Sequence, residues 1–244
     1  MPVNLMQILE VLEDQYGPQK LAGPKDPYEM IVFLNCGYPA TDEACAKCFD
    51  AIKREIGVQP KLLLKASKVQ LVELARLGGI FPNKRVERWW EIARKVRDEF
   101  KGDLTAAVKQ RLRDAKDEPA KSLRAAKKIL QEFPGIGEPS AEKILLFSGL
   151  AIVAAIPSAF VHAPVRLFMG EPGKNYAADY RAARAILDSS LPKSFEARQR
   201  AYLLLKKHAR EICKRSKPKC EVCPLTEQCA YLQAKAADVN TETE

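Results

Sequence analysis

The sequence predicts an all-helical protein, and three observations carry that prediction. Apolar residues recur at helical spacing along most of the chain, no stretch sustains the alternation of a half-buried strand, and QEFPGIGEPSAEKILLF (131–147) reads as helix, glycine turn and second helix. A chain of 244 residues can bury one large core or two small ones sharing a groove.

Taken in order, Leu5, Ile8, Leu9 and Leu12 fall on one helical face. Cys45, Cys48, Phe49, Ile52 and Ile56 fall on another, and Val86, Trp89, Trp90, Ala93, Val96 and Phe100 on a third. Ser67 with Gln70 forms a capping box, Gly78-Gly79 ends that helix, and Asn83 caps the next. Residues 101–128 are rich in Lys and Arg around Asp117-Glu118-Pro119, which reads as a basic helix, a break, and the helix leading to the glycine turn. Leu123, Ala126, Leu130 and Phe133 give that helix its apolar face, and Pro139 suits the first turn of the helix that follows. Residues 144–161 carry no charge, but Ser148-Gly149 and Ile156-Pro157-Ser158 interrupt them, so a buried helix and a core loop are expected rather than a membrane span. Residues 233–244 read as a polar tail.

The formal charge of +9 favours a polyanionic partner, nucleic acid ahead of an anionic membrane surface. The N-terminus MPVNLMQILEVLEDQYG has no basic start followed by a long apolar run, so a reducing, cytoplasmic location is expected. There the seven cysteines serve as metal ligands or buried thiols.

In CKRSKPKCEVCPLTEQC (213–229), Cys213, Cys220, Cys223 and Cys229 are separated by six, two and five residues. Four soft ligands so close together suit a tetrahedral zinc or a cubane iron-sulfur cluster. Only Cys220 and Cys223 form a short pair, which leans toward iron-sulfur. Cys45-Ala-Lys-Cys48 lies within an amphipathic helix and reads as core. In the turn, the amides of Gly135, Ile136 and Gly137, with the positive end of the next helix, are placed to face a phosphate.

With hairpin and cysteines in this order, the sequence resembles the endonuclease III family of the helix-hairpin-helix DNA glycosylase superfamily. That family has an LPGVG hairpin, then a helix pair and four cysteines with the same spacing. DPYEMIVFLNCGYPATD (26–42) is similar to its early helix ending in ATD, and LGGIFPNKR (77–85) to its LGLYNSKA loop; the likeness spans residues 5–232. It implies a two-lobed fold. A helical barrel domain would cover 24–157 with the helix-hairpin-helix near 120–149, and 1–23 plus 158–232 would carry a [4Fe–4S] cluster on Cys213, Cys220, Cys223 and Cys229. The implied partner is duplex DNA bound to a monomer. Ile80 falls where the family places an apolar wedge, and Tyr38 or Pro39 near its paired glutamine. Lys214, Arg215, Lys217 and Lys219 lie between two cluster ligands and are expected to hold phosphates.

Two positions depart from the family. Its hairpin lysine, which attacks the sugar, is Pro139 in GIGEPSA, and its aspartate is His162 in VHAPVRL (161–167), with Pro164 in place of the asparagine. A prolyl nitrogen forms no Schiff base, and histidine at neutral pH supplies no anion. The expected function is therefore binding of distorted or damaged duplex DNA without the standard glycosylase or lyase step. The alternatives are a glycosylase with relocated residues (Lys143, His162, or Glu138 and Glu142 beside the hairpin) and a DNA-bound redox sensor.

Overall fold

The computed structural model describes residues 4–37, 41–114 and 117–241. Its helices, in chain order, are α1 (Leu5–Tyr16), α2 (Pro27–Leu34), α3 (Asp42–Glu55), α4 (Pro60–Lys65), α5 (Lys68–Arg76), α6 (Pro82–Glu99) and α7 (Leu104–Asp114). After these come α8 (Pro119–Gln131), α9 (Glu138–Phe147), α10 (His162–Phe168), α11 (Tyr176–Ser190), α12 (Phe195–Glu211) and α13 (Ala230–Thr241). Short 3-10 turns at Ser158–Phe160 and Cys220–Val222 complete the described residues, which contain no strand.

Local chemistry sets the helix starts. The side chains of Asn4, Asp26, Thr41, Ser67, Asn175 and Ser194 each accept from the amide three residues on, satisfying one orphan donor. Each such cap stabilises its helix by about 1 kcal/mol. α6 differs from the sequence expectation: it begins at Pro82, not behind Asn83, and its cap residue is Phe81 at φ 63°. Proline's fixed φ suits this first turn, and its missing N–H leaves no donor unsatisfied there. Within the stretch expected as a polar tail, α13 runs through residues 233–241. Its Ala-rich stretch has the propensity to continue a helix begun at Ala230.

The chain divides into two compact units, Ala22–Ala151 and the combination of Met1–Leu21 with Ile152–Glu244. The first packs α2 to α9 around Trp89, Ile31, Ile52, Leu63, Leu71 and Ile92, all fully buried. In the second, Leu5, Ile8, Leu9 and Leu12 of α1 pack with Leu187, Leu204 and Leu205. The division between the units lies at 151/152, and Ala154 and Ile156 join this second core. Among the described residues no helix is long and apolar enough to cross a membrane. The uncharged stretch divides into α9 and a loop whose residues 153–157 are buried.

Candidate nucleic-acid interface and thiol pocket

The hairpin is built by α8, α9 and a residue from α2. Lys127 of α8 reaches Glu138 at 2.6 Å and Glu142 at 3.0 Å, both on α9, and Glu142 is fully buried. The buried Asn35 side chain donates to Ile31 O at 3.0 Å and to Pro134 O at 2.9 Å, pinning the turn to the end of α2. Gly135 sits at φ +74°, and a Cβ there would meet Asn35 Oδ1 at 3.1 Å. Gly137 is extended, exposed and open, with nothing closer to its would-be Cβ than Pro139 Cδ at 3.9 Å.

The turn does not present its three amides alike. The Ile136 N–H donates to Phe133 O at 3.2 Å and its side chain is buried, so the exposed Gly135 and Gly137 amides are the pair placed to meet a ligand. α9 has no side-chain cap hydrogen bond at its N-terminus, which leaves its positive end available. Pro139 in its first turn has neither an N–H nor a side-chain amine to contribute.

A second apolar feature of the same unit follows α5. Arg85, itself buried, donates to the carbonyls of Ala75 (3.2 Å), Gly78 (2.7 Å) and Gly79 (3.0 Å), tying down the helix end. Gly78 lies so close to the Cys36 carbonyl that a Cβ would fall 1.6 Å from its oxygen. This fixed loop presents Ile80 at 56% and Phe81 at 65% exposure, the latter in the left-handed region. Tyr38 and Pro39 lie outside the described residues.

In the other unit all four C-terminal cysteines line one pocket with Arg166, His208, Leu225 and Tyr231. Arg166 Nη1 lies 4.0 Å from Cys213 Sγ and 2.8 Å from Lys214 O, while Nη2 donates to Arg215 O at 2.7 Å. Burial pushes all of Cys213, Cys220 and Cys223 upward, Cys223 to about 11. His208 is buried, and desolvation pulls it down to about 4, so its ring is neutral at pH 7. Its Nδ1 is 3.1 Å from the Tyr16 hydroxyl and its Nε2 is 3.8 Å from Cys223 Sγ. The intervening Lys214, Arg215, Lys217 and Lys219 are all exposed.

Each residue weighed as catalytic has its own surroundings. Lys143 is 6% exposed, not a solvated helix residue, and its charge acts on the Cys45 thiol, which burial itself pushes up. Glu138 and Glu142 are engaged by Lys127. His162 is 7% exposed and donates from Nε2 to Cys213 O at 2.8 Å; burial lowers its pKa, keeping it neutral at pH 7. Cys45 and Cys48 are buried beneath α5, with Cys48 Sγ 3.5 Å from Leu74 O.

Sequence reasoning missed Asn35, Arg166, Tyr16 and His208. Asn35 had no local signal, because its target lies 99 residues away. The other signal was present: the chain has two histidines, and both touch the cysteine loop.

No protein-family model and no curated protein matches the chain. Among solved structures, a trapped covalent complex of endonuclease III with DNA has a TM-score of 0.71 at 15% identity, covering 97% of this chain and 99% of that one. A thermostable thymine-DNA glycosylase gives 0.70 at 20% identity, covering 94% and 95%. A 3-methyladenine DNA glycosylase from H. pylori, bound to 1,N6-ethenoadenine, gives 0.51 at 16% identity over 84% and 93%. The likeness spans nearly the whole length of each protein, and the chain has the helix-hairpin-helix DNA glycosylase fold.

Proposed function

We propose that this is an endonuclease III-like protein of the base-excision-repair type that binds distorted or damaged duplex DNA without the glycosylase or lyase step. The hairpin carries the reading: an open helix N-terminus and two exposed glycine amides suit a phosphate, while a proline stands where an attacking amine would be needed. Ile80 and Phe81, held outward by the Arg85-anchored loop, suit a wedge that fills the gap in a disturbed base stack. The relocated alternatives fit poorly. Lys143 and Glu142 are buried, and His162 is neutral and bonded to the cysteine loop, so none supplies an exposed amine or an anion for a cationic sugar.

The thiol pocket fits a [4Fe–4S] cluster held by Cys213, Cys220, Cys223 and Cys229. Four thiols line it, Arg166 offers positive charge, and Arg166 Nε is buried with no hydrogen-bond partner among the described residues, leaving a donor for an acceptor in the pocket. When bound, the cluster would supply a redox-capable crosslink, and the chain's own part is to hold four basic residues between its first two ligands. The reading also places the protein in the cytoplasm as a monomer.

The test is base release from duplexes carrying oxidised, deaminated or alkylated bases, run beside binding and iron analysis. The expected result is binding, no release above background, and about four irons per chain, the cubane stoichiometry. Release of any damaged base would overturn the inactive reading, and stoichiometric zinc without iron would overturn the cluster.

A further inference from the structure

The pocket that would hold the cluster is connected to the N-terminal helix by a two-bond chain of side chains. Tyr16 is the last residue of α1, and its hydroxyl lies 3.1 Å from Nδ1 of His208 on α12. Nε2 of the same ring lies 3.8 Å from Cys223 Sγ. The ring is 4% exposed, so water does not compete for either nitrogen.

Hydrogen-bond chemistry fixes the direction. A neutral imidazole has one donor and one acceptor nitrogen, whereas a ligating thiolate can only accept. The productive tautomer therefore carries its proton on Nε2, facing sulfur, and Nδ1 accepts from the Tyr16 hydroxyl. Tyr16 keeps that hydroxyl proton at neutral pH, since a phenol titrates only near about 10. If Tyr16 were absent, the ring could exchange tautomers and turn a lone pair toward the thiolate, a repulsive arrangement.

We infer that Tyr16 and His208 form a relay that donates a hydrogen bond to the cluster ligand Cys223 and thereby sets the redox poise of the cluster, with Tyr16 as the residue that fixes the tautomer. The inference rests on the cluster reading above. Reduction adds negative charge that is shared onto the ligand sulfurs, and an N–H donor stabilises the more negative state. His208 thus favours the reduced form. Arg166, 4.0 Å from Cys213 Sγ, acts on a different ligand, so the two donors can be varied separately.

The experiment is a mediated redox titration of the iron-loaded protein, with iron content measured on each sample, for wild type, Tyr16→Phe, His208→Gln and His208→Leu. Glutamine can return an N–H to the position of Nε2, whereas leucine fills the space without a donor. His208→Leu is expected to shift the midpoint to more negative potential at unchanged iron content. His208→Gln should lie closer to wild type and Tyr16→Phe between the extremes. Equal midpoints in His208→Leu and wild type at equal iron would refute the relay while leaving the cluster intact. If His208→Leu does not hold iron, Tyr16→Phe decides, since it removes one oxygen and keeps the ring: a negative shift supports the relay and an unchanged midpoint refutes it. Wild-type protein without iron would refute the cluster reading itself, and the relay with it.

Discussion

Gly135 and Gly137 are two residues apart and need glycine for different reasons. Gly135 holds a left-handed backbone against Asn35, so Gly135→Ala is expected to cost about 1–2 kcal/mol of stability. Gly137 is extended with open space around it, so Gly137→Val should change stability by no more than about 0.5 kcal/mol. It should nevertheless weaken duplex binding, because the side chain blocks backbone approach to a phosphate. Urea melts and a DNA titration on both variants separate folding from binding; equal affinity in Gly137→Val and wild type would move the contact away from this amide. Tyr28 gives a pH-dependent counterpart. It is 8% exposed, its hydroxyl donates to Val58 O at 2.6 Å, and burial raises its pKa well above the ordinary 10.0. The folded state therefore holds this proton where the unfolded chain releases it, and the contribution is full below pH 10 and falls as pH rises above it. In Tyr28→Phe that alkaline loss should shrink, as read from urea midpoints between about pH 9 and pH 11.

At the level of elements, the helix-hairpin-helix is clamped by Lys127, half-buried between two carboxylates. Lys127→Met removes one ion-pair partner of the fully buried Glu142, and a loss of about 1–3 kcal/mol is expected. Amide exchange should show α8 and α9 opening first; a melt unchanged from wild type would mean that apolar packing alone holds the pair. What was legible in the sequence divides here by range. Caps such as Ser67, and the break at Pro119, depend on neighbours three or four residues away and could be read directly. The Lys127 clamp spans 11 and 15 residues, and the Asn35 bond to the hairpin spans 99, so no local pattern announces either. Asn83 misled because Pro82 and a left-handed Phe81 set the start of α6, a choice made by Gly78 packing onto Cys36 and by the Arg85 bonds to the loop carbonyls.

For the whole molecule, the cysteine spacing pointed to the thiol pocket, since it survives as a one-dimensional pattern. The relation of His208 to Cys223 did not, because it requires α12 to turn its buried face toward a loop that follows it. On the proposed reading, the exposed loop lysines would make DNA binding salt-dependent. Lys214→Ala with Lys217→Ala should weaken affinity across sequences and lower the salt slope by about one to two units. An unchanged slope would exclude the loop from the contact. The central claim, a grip on DNA without the amine that would attack it, is tested most directly by borohydride reduction of the unmodified protein mixed with an abasic-site duplex. The measurement uses protein concentrations at which a native gel shows the duplex bound. The account predicts no protein–DNA adduct on a denaturing gel, because Pro139 forms no Schiff base and Lys143 is buried. A trapped adduct would contradict it, and loss of that adduct in Lys143→Ala would identify Lys143 as the reacting amine.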